Sequence, residues 1–316
     1  MTSNPVRVGI IGSGAIGGFY GLMLARAGFD VHFLLRSDYA HVRDQGMTLD
    51  SALHGTFTLK VRAYEDAADL PPCDWLLVGA KATSNAELAP LIARAAAPGA
   101  KVILLQNGLG VEEQLRPMLR DDMHLLGGLC FVCVSRQAPG FVRHQALGAV
   151  NVGYHSGPAS GDQAMDVVEA AAQLFHAAGL DSQAMEDLGL ARWQKLVWNV
   201  PYNGLSVLLR ASTTPLMADP DSRALIQALM REVVQGAQAC GHDLDDSFAA
   251  HLLRVTEQMP DYWPSMYHDH AQQRPLELQA IYGEPLARAR EAGCSLPRME
   301  ALYQSLAFID RSNRAG

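Results

Sequence analysis

The stretch Val6-Arg7-Val8-Gly9-Ile10-Ile11-Gly12-Ser13-Gly14-Ala15-Ile16-Gly17 decides the fold. Its apolar, β-branched opening reads as a buried parallel strand. The G-x-G-x-x-G that follows turns the chain sharply, lets a pyrophosphate approach the backbone, and packs the next helix against the sheet. A helix is predicted over 19–28, closed by a glycine stop at Gly28, and a second strand over 31–35. Alone, three glycines are a weak signal. With strand before, helix after and strand next, they point to a dinucleotide, and Gly12, Ser13, Gly14, Ala15, Ile16 and Gly17 are its expected contacts.

The end of the second strand separates the two nicotinamide dinucleotides. An acidic residue there holds a ribose 2′-hydroxyl, whereas an arginine suits a 2′-phosphate. Arg36 stands nineteen residues after Gly17, so NADP(H) is the expected cofactor, with Asp38 close enough to keep NAD open.

A chain of 316 residues is large for one core, so two domains are expected. A net charge of −8, without basic clusters, argues against nucleic acid. No charged and apolar leader opens the sequence, and its most apolar later run, 125–134, is too short to span a bilayer. The expectation is a soluble cytoplasmic protein with no membrane partner, a homodimer being left open. Five cysteines scattered without an export signal do not make a disulfide framework. Cys130 and Cys133 lie in an apolar run with no second pair, so they read as buried thiols. His268 and His270 have no supporting ligand cluster, and no metal is assigned.

Strands and helices alternate through the first half: a β-rich patch at 56–61, strands at 75–78 and 101–105, and a helix at 85–96. Segments 125–134 and 141–153 read as a hairpin about Pro139-Gly140, followed by a helix over 164–178. From 187 the pattern is helical throughout: 188–209, 222–240, 247–258, 275–292 and 297–309. The fold class expected is α/β: an N-terminal Rossmann-type doubly wound sheet (1–186) binding NADP, then an all-helical C-terminal domain (187–316) carrying substrate and catalysis.

Lysine is scarce, confined to Lys60, Lys81, Lys101 and Lys195. Lys195, Asn199 and Asn203 recur every fourth residue, which places an ammonium and two amides on one helical face. A polar stripe is often merely solvated, but Trp193, Leu196, Val197 and Trp198 imply a helix buried around much of its circumference, which favours function. Pro201 is expected to disturb the helix between the asparagines.

Together the glycine motif, Arg36, Lys81 after its strand, Gln106-Asn107-Gly108, the Trp193-to-Asn203 run, and Ser265-Met266 with Glu277 twelve residues beyond the serine resemble the ketopantoate reductase (2-dehydropantoate 2-reductase) family. The resemblance spans most of the chain. It implies NADPH-dependent reduction of ketopantoate to pantoate, a step of pantothenate biosynthesis, with Lys195 as general acid and Glu277 beside it, close to the cofactor ribose or the substrate. It further implies that Asn199, Asn203 and Ser265 hold the substrate hydroxyl and carboxylate, that Asn107 lies near the nicotinamide, and that Lys81 lies near cofactor or substrate. Departures cluster around the serine. The family commonly has Asn three residues before it, Ser just before it and Gln-Asp after it, where this chain has Tyr262, Pro264 and His268-Asp269. Asn203-Gly204 stands in place of Asn-Pro, and Glu277-Leu278-Gln279 in place of Glu-Ile-Asp. A reductase of a bulkier 2-oxo acid stays open beside ketopantoate. A non-catalytic NADP sensor is the other class of reading, and it would have no need of a proton donor on the helical domain.

Overall fold

The computed structural model of the chain describes residues 6–315 and divides into two compact units. One runs to Gln106 and resumes over Val111–Leu188; the other takes Asn107–Gly110 and everything from Gly189 onward.

The first unit is built on β1 (Arg7–Ile11), α1 (Ala15–Arg26), β2 (Asp30–Leu34), α2 (Tyr39–Gln45), β3 (Met47–Ser51), β4 (Gly55–Leu59), β5 (Arg62–Tyr64) and β6 (Cys73–Val78). It continues through α3 (Asn85–Ala95), β7 (Ala96–Leu104), α4 (Val111–Leu115), β8 (His124–Ala138), β9 (Phe141–Ser156), α5 (Asp162–His176) and β10 (Ala184–Met185). Strands β5-β2-β1-β6-β7-β8 form a parallel block in the Rossmann order. The expected hairpin is present, turning at Pro139-Gly140 with Gly140 at φ +65°, but of its two strands only β9 is antiparallel to the block, since β8 pairs parallel with β7. Beyond β9 come β3 and then β4, at the edge opposite β5. Only Lys60 and Val61 join β4 to β5, so the sheet must curl to bring its two edges together.

Helix α1 lies inside that curl. Gly17 through Leu24 are all buried, with no exposed stripe. A Cβ on Gly18 would meet Val142 of β9 at 2.8 Å, and one on Gly21 would meet Phe33 of β2 at 2.5 Å. Tyr20 donates its hydroxyl to Ala149 O (3.1 Å). A helix covered on every side needs apolar residues all round and small ones where backbone meets sheet. Val8, Ile10, Leu77 and Ile103 share this core with Phe19, Leu22 and Phe175.

The second unit is helical: α6 (Leu188–Leu209), α7 (Thr213–Ala218), α8 (Pro220–Ala239), α9 (Ser247–Gln258), α10 (Ser265–Ala271), α11 (Glu284–Glu291) and α12 (Pro297–Ala315). Trp193, Leu196, Val197 and Val200 of α6 pack with Ile226, Met230 and Val233 of α8 and with Met299 and Leu306 of α12. The continuous helix expected over 275–292 is not found. Pro275 to Glu277 are non-helical, and Gln279–Gly283 forms a wide π turn, Glu284 N bonding Gln279 O, before α11 begins. Pro201, expected to disturb α6, sits inside an unbroken helix. Among the described residues no helix is long and apolar enough to cross a membrane.

Candidate active site

At the carboxyl end of the parallel strands, the Gly12 turn is sterically obligate. Its φ is +88°, and an added Cβ would stand 2.3 Å from Ala80 N. Gly17 is equally constrained, because a Cβ there would lie 2.3 Å from Gly12 O. Gly14 differs: a Cβ would meet nothing within 4 Å. No side chain caps the start of α1, so its first amides are left for an anion. Ser13 donates to Leu34 O (3.3 Å), tying this turn to the end of β2. Ala15 and Ile16, in the first turn of α1, are half-buried.

Arg36 follows β2 and is exposed, with no ion-pair partner among the described residues. Asp38 is buried and fully engaged. Its carboxylate accepts both Nε (2.9 Å) and Nη2 of Arg136, Ser37 Oγ (2.9 Å) and Gly140 N (3.1 Å). Burial works to raise the Asp38 carboxyl, and these bonds together outweigh it and hold it below the usual carboxylate range. Lys81, half-buried, follows β6 on the same edge. Gln106 Nε2, at the end of β7, donates to Ala80 O (3.0 Å) and Asn85 Oδ1 (2.7 Å), clamping the two strand ends together.

In the helical unit, Lys195, Asn199 and Asn203 are all buried on α6. Asn199 Nδ2 has no hydrogen-bond partner among the described residues. Trp198 stacks on Tyr202 (4.7 Å) and donates Nε1–H to Thr256 Oγ1 (3.1 Å), fixing the helix beside the asparagines. Glu277 is buried in the non-helical segment before the π turn. Asp310 of α12 accepts from Leu276 N (3.0 Å), and Arg274 binds Asp269 through Nε (3.0 Å), so that segment is held on both sides. The π turn reaches α6 through Tyr282, whose hydroxyl donates to Val200 O (2.8 Å).

Asn107 belongs to this unit. Leu109 N donates to Ala280 O (2.8 Å), and Gly108, at φ +94°, leaves no space for a Cβ against the same carbonyl. The structure thus brings the segments of Asn107 and Glu277 together. Ser265, at the start of α10, is exposed and no hydrogen bond joins it to α6; beside it Trp263 and Tyr267 stack at 3.9 Å. Tyr282 and Asp310 were not singled out from sequence. Each makes a distant backbone contact that nothing in the local pattern marks.

A Rossmann-ordered sheet unit followed by a helical unit with a buried polar helix face is a dehydrogenase architecture. Residues 8–157 match the family model described as ketopantoate reductase PanE/ApbA, and residues 187–310 match that of its C-terminal domain. A 2-dehydropantoate 2-reductase of Nostoc sp. is 43% identical over 314 residues, 99% of this chain and 98% of that one. The crystal structure of 2-dehydropantoate 2-reductase from Geobacter metallireducens superposes with a TM-score of 0.89 at 37% identity, covering 97% of this chain and 99% of that one. The enzyme of the same name from Methylococcus capsulatus gives 0.85 at 32%, covering 98% of each. The chain belongs to the ketopantoate reductase family, and so to the oxidoreductases.

Proposed function

We propose that the chain reduces ketopantoate to pantoate with NADPH, as a cytoplasmic enzyme of pantothenate biosynthesis. The observation that carries this reading is the buried face of α6. An ammonium and two amides lie there among apolar side chains, and Asn199 Nδ2 lacks a partner. A buried donor left unpaired costs about 1–3 kcal/mol, which a substrate oxygen recovers on binding.

The residues of the first unit fit a dinucleotide. The open face of Gly14 and the uncapped start of α1 suit a pyrophosphate. Arg36 is unpaired and suits a 2′-phosphate, while Asp38, spent on Arg136, is not left to hold a 2′-hydroxyl. NADPH, when bound, supplies the hydride for the carbonyl carbon. Lys195 stabilises the negative charge that develops on the carbonyl oxygen and gives that oxygen its proton. Glu277 orients the ammonium and reaches the cofactor ribose. Asn199, Asn203 and Ser265 hold the hydroxyl and carboxylate of the substrate, and Asn107 and Lys81 contact the cofactor. In this reading the sheet unit binds NADP and the helical unit carries substrate and catalysis.

The stacked Trp263 and Tyr267 flanking Ser265 favour a second reading, a bulkier 2-oxo acid taken by the same machinery. The first reading is tested by Asn199→Ala. The KM for ketopantoate should rise by about tenfold or more while the NADPH dissociation constant stays unchanged. An unchanged KM would remove the α6 face from substrate binding.

A further inference from the structure

Helix α6 is not held by its own hydrogen bonds alone around the two asparagines. Pro201 has no N–H, so Val197 O lacks the donor a regular helix would give it. One turn on, the Val200-to-Gly204 rung has a guest. The Tyr282 hydroxyl donates to Val200 O at 2.8 Å, and the Gly204 backbone amide donates to that hydroxyl. A Cβ on Gly204 would stand 2.6 Å from that hydroxyl, so glycine at 204 and tyrosine at 282 fit as a pair. Tyr282 is completely buried, and burial pushes its phenol far above the usual range, so it stays a neutral donor. A side chain inserted into the i→i−4 ladder bends or widens a helix at that turn. The residue before each bridged group is an asparagine, Asn199 before Val200 and Asn203 before Gly204. Tyr282 is itself presented by the π turn Gln279–Gly283, which follows Glu277 and receives the Asn107–Gly110 segment at Ala280. π turns of this kind recur at functional sites.

We propose that Tyr282 is a positioning residue: its hydroxyl, seated in the Val200–Gly204 rung, sets the spacing of the Asn199 and Asn203 amides. This rests on the reading of those asparagines as substrate ligands. A purely structural role would lower the melting temperature without touching substrate affinity.

The test compares Tyr282→Phe, Asn199→Ala, their double variant and Gly204→Ala, reading kcat, KM for ketopantoate, the NADPH dissociation constant and Tm. Loss of one positioning bond should raise the KM of Tyr282→Phe by about tenfold with NADPH binding unchanged, and Gly204→Ala should do likewise by crowding the hydroxyl. In the Asn199→Ala background, Tyr282→Phe should add less than about twofold, the signature of two residues acting as a unit. A KM within about twofold of the unaltered protein, whatever happens to Tm, overturns the proposal, as does the full loss repeated in the double variant. If Tyr282→Phe does not fold, a normal KM in Gly204→Ala overturns it equally. Should Asn199→Ala leave KM unchanged, the substrate reading falls and this proposal with it. Should Asn199→Ala raise KM and Tyr282→Phe not, the proposal alone falls.

Discussion

Arg36 and Asp38 stand two residues apart, the first exposed and the second buried against Arg136. From sequence both were open as cofactor contacts. The structure commits Asp38 to Arg136, ninety-eight residues away, a pairing no local pattern announces. What remains at the end of β2 is a guanidinium, so NADPH should bind more tightly than NADH, and Arg36→Ala should erase most of the difference. A charge-assisted bond of ~1.5–3 kcal/mol corresponds to roughly ten- to a hundredfold in affinity. Titration of both cofactors checks this, and equal affinities in the unaltered protein would contradict it. The buried face of Lys195, Asn199 and Asn203 was legible because lysine is scarce and the spacing is helical. Lys195→Ala should lower kcat by ~10²–10⁴ with NADPH affinity preserved. Lys101, on β7 above the Trp75 ring, serves as the control, since Lys101→Ala should leave turnover unchanged. Near-normal turnover in Lys195→Ala would place the proton donor elsewhere.

Among the elements, the Gly12–Gly17 turn shows which part of a motif is fixed by packing and which faces open space. A Cβ on Gly17 collides with backbone that cannot retreat, whereas Gly14 faces open space at an ordinary φ of −72°. Gly17→Ala should therefore destabilise the protein by about 1–3 kcal/mol. Gly14→Ala should melt normally yet bind NADPH more weakly. Thermal melts beside cofactor titrations separate the two, and a normal melt for Gly17→Ala would contradict the packing argument. This turn was readable because the constraint is local. The break at Pro275 to Glu277 was not, because apolar spacing over 275–292 is that of a helix and the π turn is shaped by Tyr282 reaching α6 and by Ala280 receiving Leu109. For the same reason strand propensity found β4 but could not place it at the far edge of the sheet.

On the scale of the whole molecule, alternation followed by unbroken helical periodicity was enough to read a Rossmann-type unit and a helical one. The excursion of Asn107–Gly110 into the helical unit was hidden, since it depends on a partner at Ala280. The sheet unit also carries a shared pH response. Burial, first among the causes, lowers His32, His54, His124 and His144 below the ordinary value of 6.5. At His144 burial outweighs the two carbonyls that Nε2 bonds, Leu147 O (2.9 Å) and Ala146 O (3.1 Å), which work to raise it, and Nδ1 is left to accept from Ser51 Oγ (2.8 Å). Groups that bind protons more readily unfolded than folded stabilise the fold above 6.5 and lose that contribution as pH falls through their lowered values. Tm should be level above neutrality and decline below about pH 6.5, before the carboxylates titrate. A Tm that rises between pH 7 and about pH 5 would contradict this. The most direct measurement is kcat/KM with NADPH for ketopantoate beside 2-oxoisovalerate and phenylglyoxylate. A site with buried amide partners should prefer ketopantoate, whose hydroxyl and carboxylate satisfy them, by about tenfold or more. A tenfold preference for either of the other two, or no NADPH oxidation with ketopantoate, would contradict the central reading.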